Sequence, residues 1–201
     1  MKGFNQKYLS EAIRCIESFK AFERNSEINY NDAITKVATT IKDLENNNNS
    51  MYFIGNGGSA SIASHLALDF WKNANVKAAA FNDSSSLTAL GNDIGYDYVF
   101  SKPIEMFANN GDMLIAISSS GNSQNILNAV SSARKKGCKI VTLSGFSEEN
   151  KLKKLGDINF HVPSFSYGMA EVFHTLIIHQ ILDYKLHEFE KVDIFNMNSK
   201  A

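Results

Sequence analysis

Apolar positions recur at three- and four-residue steps over residues 7–24, where Leu9, Ile13, Ile16, Phe19 and Phe22 share one helical stripe. Ile34, Val37, Ile41 and Leu44 do the same over 30–45. The spacing predicts two amphipathic N-terminal helices. The run Asn46-Asn47-Asn48-Asn49-Ser50 ends the second and reads as a turn. Beyond it the period changes. Short apolar runs at 52–54, 78–81, 113–117, 139–143 and 158–162 read as strands, and helical patterns near 59–72, 85–90, 123–136, 148–154 and 168–190 separate them. Gly137 suits the C-cap of the helix before it. This alternation predicts an α/β fold, a three-layer αβα sandwich with a five-stranded parallel sheet preceded by two helices. Sheets of this kind bind ligands beyond the carboxyl ends of their strands.

The 201 residues suffice for a single domain over 1–201, with a helical pair at 1–48, an α/β core at 51–190 and a tail at 191–201. The net charge is −1 and the Lys and Arg residues are scattered, which argues against nucleic acid as a partner. Cys15 and Cys138 stand alone, forming neither a disulfide framework nor a metal clip, as fits a reducing cytoplasm. No apolar stretch approaches the roughly 20 residues of a membrane span. Residues 1–6 lack the apolar core of a signal peptide. The expectation is a cytoplasmic protein without membrane or nucleic-acid partners.

Two loops carry candidate chemistry. Ser118-Ser119-Ser120-Gly121-Asn122-Ser123 follows the strand at 113–117 and precedes a helix. Hydroxyl donors, a glycine that permits close backbone approach, and the free N–H groups of a helix start together suit an anion such as a phosphate monoester. A plain serine-rich loop with Ser123 as N-cap is the alternative. Gly55-Asn56-Gly57-Gly58-Ser59 follows the first strand and also permits bare backbone against a ligand, but it is neither a Walker A loop nor a dinucleotide fingerprint. Behind it His65 and Asp69, spaced i, i+4, share one helix face. They can bind a metal jointly, act as an acid–base pair, or form a simple surface pair.

Taken together, Gly55-Asn56-Gly57-Gly58-Ser59-Ala60-Ser61 with His65, then Gly91-Asn92-Asp93 with Gly95-Tyr96, then Ser118–Ser123 resemble the phosphoheptose isomerases, sugar-isomerase (SIS) domain proteins. These interconvert sedoheptulose 7-phosphate and D-glycero-D-manno-heptose 7-phosphate, on the way to the heptoses of lipopolysaccharide and capsule. The resemblance implies a homotetramer with active sites near subunit interfaces. It implies that Ser118, Ser119, Ser120 and Ser123 hold the sugar phosphate, that Asn56, Gly57, Gly58, Asn92 and Asp93 line the sugar site, and that Asp69 and Glu171 also bind substrate. Family members carry zinc on His, Glu, Gln and His, which fall here on His65, Asp69, Glu171 and His179. Asp69 is one methylene shorter than the family's Glu, and Glu171 puts a carboxylate where the family has an amide. Two imidazoles and two carboxylates still suit zinc, or a harder ion such as Mn. Ile62 and Leu68 are more apolar than the family's usual choices, which leaves room for a different sugar phosphate.

Glu171 and His179 lie about 12 Å apart along a straight helix and about 80° apart around it, so a shared metal would need each to reach roughly 6 Å. Glu171 with His174 is a rival metal spacing, while His174 alone also reads as a core histidine. His161 and His187 read as structural. Moving a carbonyl between C1 and C2 requires a base, an acid partner and positive charge near the oxygens. Asp69 is assigned as base and His179 as partner, with Glu171 in reserve. Two other readings stand beside this one. The first is a non-catalytic SIS protein that binds a sugar phosphate or a replication-initiator protein. The second is an isomerase of another ketose phosphate.

Overall fold

The computed structural model describes residues 3–196. Helix α1 (Phe4–Glu17) is followed by a hairpin of β1 (Lys20–Glu23) and β2 (Ser26–Ile28), then by helix α2 (Tyr30–Asn46). Next come β3 (Ser50–Gly55), α3 (Gly58–Asn73), β4 (Lys77–Ala80), α4 (Ser84–Asp93), α5 (Ser101–Phe107), β5 (Met113–Ser118), α6 (Gln124–Lys135), β6 (Lys139–Gly145), β7 (Ile158–Val162) and α7 (Tyr167–Glu190). Among the described residues no helix is long and apolar enough to cross a membrane.

The three-layer α/β class is as expected, but the strand count is not. Seven strands form one sheet in the order β2-β1-β7-β6-β5-β3-β4. The five expected strands are its parallel part, and β1 adds antiparallel to β7 through Lys20↔His161 and Glu23↔Ile158. The first predicted helix therefore stops at Glu17. Phe19 and Phe22 fit a helical stripe, yet the chain turns them into an extended segment that covers the otherwise unpaired edge of β7. Arg24 and Asn25 both adopt positive φ, 45° and 74°, as a tight two-residue hairpin turn requires.

Two apolar layers enclose the sheet. One face packs α2, α3 and α7 over Phe53, Leu143 and Phe160. The other packs α5 and α6 over Ile54, Leu114 and Ile140. Strands buried on both faces read as nearly continuous apolar runs, which is why β3, β5 and β6 were legible, while β7 showed as the alternation of Ile158, Phe160 and Val162 with Asn159 and His161. The C-terminal half of α7 is pinned by Lys185, fully buried, which donates to Ala74 O and pairs with Glu45 and Glu190. Residues 191–196 turn back on this helix, Val192 N donating to Leu186 O, while 197–201 of the expected tail lie outside the described residues.

The chain leaves β3 toward β4 on one side and returns as β5 on the other. Such a reversal of strand order opens a crevice at the carboxyl ends of the two strands. The loop after β3 carries Asn56 to Gly58, and the loop after β5 carries Ser118 to Ser123. The register Gly55↔Ile117 sets them side by side.

Candidate active site

A cavity of about 150 Å³ lies in this crevice, lined by Asn56, Ser59, Ser118, Ser119, Ser120 and Ser123 together with Ile117, Tyr167 and Glu171. All four predicted serines meet there. Ser123 holds the N-cap position of α6, yet its hydroxyl caps no backbone N–H; it lies 3.4 Å from the Ser118 hydroxyl. Gly121 N donates to Ser118 Oγ and Asn122 N to Ser120 Oγ, so backbone holds two hydroxyls in place. The Ser119 hydroxyl is buried and has no partner among the described residues. A buried donor left unpaired costs about 1–3 kcal/mol unless something binds it. No Lys or Arg lines the cavity among the described residues.

Asn56 is fixed by a reciprocal amide pair with Asn125, each Nδ2 donating to the other's Oδ1 at 2.9 Å, and by Tyr96 Oη, which donates to Asn56 Oδ1 at 3.0 Å. Asn125 was missing from the predicted set. Its signal was its place in the first turn of the helix after the serine loop. Tyr167 was missed too, because only the packing of α7 brings it to the cavity. Gly57 is the exposed N-cap of α3. Asn92 and Asp93, expected at the sugar site, lie exposed at the end of α4 and hydrogen bond to each other; neither lines the serine cavity within this chain.

The second constellation sits farther along the same pair of helices. His65 Nε2 lies 3.4 Å from Asp69 Oδ2, and His179 Nδ1 lies 4.0 Å from the same oxygen. The donor atoms of His65, Asp69 and His179 all lie within 4.8 Å of one another. The i, i+4 spacing on α3 sets the first two on one face, and the direct packing of α7 against α3 adds the third. Two neutral imidazoles and one carboxylate are a fitting donor set for a divalent metal with a coordination position left open. Asp183, one turn beyond His179 and absent from the predicted set, is half-buried. Burial raises its carboxyl above the usual range; nearby His179 lowers it and Asp69 raises it further.

Glu171 departs from its predicted place as a metal ligand. It is not in the His65–Asp69–His179 group. Its carboxylate lies against Gly58 at the start of α3, in space that any side chain at 58 would fill, and it faces the serine cavity. Glu171 precedes His179 by eight residues, about 12 Å of helix, and its side chain is turned toward Gly58 and not toward that group. His174 is a core histidine and not a partner of Glu171. It is fully buried, burial lowers its pKa to about 4, and because a carbonyl only accepts, its Nε2–H donates to Ser144 O at 3.1 Å. His161 is likewise buried, with a pKa lowered to about 4, beside Ser144 Oγ. His187 is exposed near the end of α7, against Val192 O.

The SIS domain family profile matches residues 8–145. Phosphoheptose isomerase of Aliarcobacter butzleri is 38% identical over 164 residues, 77% of this chain and 86% of that protein. The Proteus mirabilis phosphoheptose isomerase is 35% identical over 189 residues, 91% of this chain and 95% of that protein. The solved phosphoheptose isomerase of Neisseria gonorrhoeae superposes with a TM-score of 0.78 at 30% identity, covering 89% of this chain and 95% of that one.

Proposed function

The chain belongs to the phosphoheptose isomerase branch of the SIS domain family, and from that membership we propose that it interconverts sedoheptulose 7-phosphate and D-glycero-D-manno-heptose 7-phosphate for surface-polysaccharide heptose synthesis. The observation that carries this reading is the Ser119 hydroxyl, without a partner among the described residues and buried in a cavity of serines at one end of the α3–α7 contact, with His65, Asp69 and His179 farther along it. His65 and Asp69 lie six and ten residues beyond Ser59, about 9 and 15 Å along α3. A sugar phosphate held by its ester end needs a separation of this order between grip and reacting carbons.

Asp69 removes the proton from C1 of the ketose. The C–H electron pair becomes the C1–C2 double bond, and the C2 carbonyl becomes an enediolate oxygen. His179 relays a proton between O2 and O1, and Asp69 returns its proton to C2, leaving the carbonyl at C1. Asp69 Oδ2 faces both imidazoles, which leaves Oδ1 for the proton. His65, Asp69 and His179 would hold zinc, which when bound supplies positive charge near the enediolate oxygens. Ser118, Ser119, Ser120 and Ser123 grip the phosphate, and Asn56 orients the chain behind it. The grip contributes orientation rather than bond making.

The protein also assembles as a homotetramer on this reading. Along α1, Leu9, Ile13 and Ile16 share one stripe and are 64, 59 and 45% exposed, and Val172 and Leu176 of α7 are exposed as well, so apolar surface awaits burial.

The test is turnover of sedoheptulose 7-phosphate by zinc-loaded and chelated protein. Product with zinc and none after chelation is the expected result. Phosphate binding without turnover of any ketose phosphate would instead mark a binding protein, and faster turnover of another ketose phosphate would reassign the substrate.

A further inference from the structure

The connection from β6 to β7 lies across the back of the serine loop. Gly145 N donates to Ser119 O at 3.0 Å, Leu152 N to Gly121 O at 2.9 Å, and Lys151 N to Asn122 Oδ1 at 3.1 Å. Asn150 sits at the centre of these bonds and is 1% exposed. Its Nδ2 donates to Ser147 O at 2.7 Å and Gly145 O at 3.4 Å, and its Oδ1 accepts from Lys153 N at 2.9 Å. The side chain is thus held by backbone on every side. It also fills the space beside Gly121, where any Cβ would overlap the Asn150 amide and where φ is +64°. Gly121 and Asn122 are the two residues whose N–H groups hold the Ser118 and Ser120 hydroxyls. Asn150 itself does not line the cavity.

We propose that Asn150 is a positioning residue for the anion grip: matched to Gly121, it fixes the loop shape that aims the serine hydroxyls at the phosphate of the substrate. The proposal rests on the reading of that loop as the phosphate site. An interior amide with three backbone partners is a costly choice for a surface connection, since loss of the amide strands Lys153 N and leaves Ser147 O with the Asn150 backbone N–H alone. Its return is a rigid loop whose donors need no rearrangement when the anion arrives.

Zinc-loaded full-length protein is compared as wild type, Asn150→Ala, Gly121→Ala and the double variant, with inorganic phosphate titrated by calorimetry and sedoheptulose 7-phosphate turnover measured alongside. Asn150→Ala should weaken phosphate and raise KM about tenfold with kcat within about twofold, the pattern of lost grip and not of lost chemistry. Gly121→Ala should do at least as much. The double variant should fall short of the product of the two, because the amide atoms nearest the added methyl are gone and only the Cβ of residue 150 remains beside it. Asn150→Ser, which keeps a short donor, should lose less than Asn150→Ala and serves if the alanine variant does not fold. Phosphate affinity and KM within about twofold of wild type in the folded variants overturn the proposal, as do effects that multiply or a loss confined to kcat. If wild-type protein binds no phosphate, the phosphate reading itself fails and this proposal with it.

Discussion

The serine cradle and the His65–Asp69–His179 cluster are built in opposite ways. The cradle hangs from the buried end of β5, its hydroxyls held by backbone N–H groups and its far side braced by the β6–β7 connection. The cluster stands on two helix faces, its His65 side chain 54% exposed, and its three members approach one another only side chain to side chain. A grip must have its shape before the ligand arrives, because ordering it on binding would consume affinity. Groups that move protons must reach more than one atom as the bonds change, and here side-chain approach across two helices, not backbone hydrogen bonds, sets them. If this contrast is right, damage to the cluster removes turnover and spares binding, and damage to the cradle does the reverse.

The largest expected effect is at Asp69. Asp69→Asn keeps the shape of the side chain and removes its basicity. Turnover should fall by roughly a thousandfold or more, within the range that general acid–base catalysis supplies. Inorganic phosphate should still bind the variant within about twofold of wild type, since no charge in the cradle has changed. Turnover within about threefold of wild type would remove Asp69 from the base role and leave Glu171 to be tested.

The mirror experiment is Ser118→Ala with Ser120→Ala. Two hydrogen bonds to a charged oxygen are worth about 1.5–3 kcal/mol each, so substrate affinity should drop by about a hundredfold or more. The effect should appear chiefly in KM, while zinc retention by the chelator-competition measure stays at the wild-type value. If inorganic phosphate competes equally well in this double variant, the cradle has been put in the wrong place.

The same contrast decides what could be read from sequence. The cradle is local: four hydroxyls and a glycine lie within six consecutive residues just past an apolar strand, so strand, loop and chemistry are visible together. The parallel strands were visible for the same reason, being short local apolar patterns, continuous in β3 and β5 and alternating in β7. The hairpin at 20–28 was not, because Phe19 and Phe22 satisfy a helical period as well as an extended one, and the partner that decides between them is β7, far along the chain. Helix α5 was missed as well, being seven residues long and interrupted by Pro103. His65 and Asp69 were legible through helical spacing, and His179 through the family resemblance. Asn125, Tyr167 and Asp183 were not, since each gains its place only when α6 or α7 packs. Glu171 shows the limit most plainly. The resemblance offered it both to the metal and to the substrate, and only its position on α7 sets it beside the cradle and outside the His65–Asp69–His179 group.

Glu171 is also the residue that can break the comparison, since it carries the one carboxylate among the described residues lining the serine cavity. The cavity has no Lys or Arg among its described lining, so a phosphate dianion arriving there meets donors that carry no charge and one carboxylate that repels it. Glu171→Gln removes the repulsion at nearly constant volume and restores the amide the family carries. Coulomb interaction in a partly solvated site is worth on the order of 1 kcal/mol at this range, so inorganic phosphate should bind about three- to tenfold more tightly, and the gain should shrink as salt is raised. Zinc affinity should be unchanged within about twofold, because His65, Asp69 and His179 keep their places. The opposite pair of outcomes, phosphate unaltered and zinc weakened, would return Glu171 to the metal. In that case the cluster would be a four-ligand site that closes only when loaded, and the grip would owe nothing to the charge beside it.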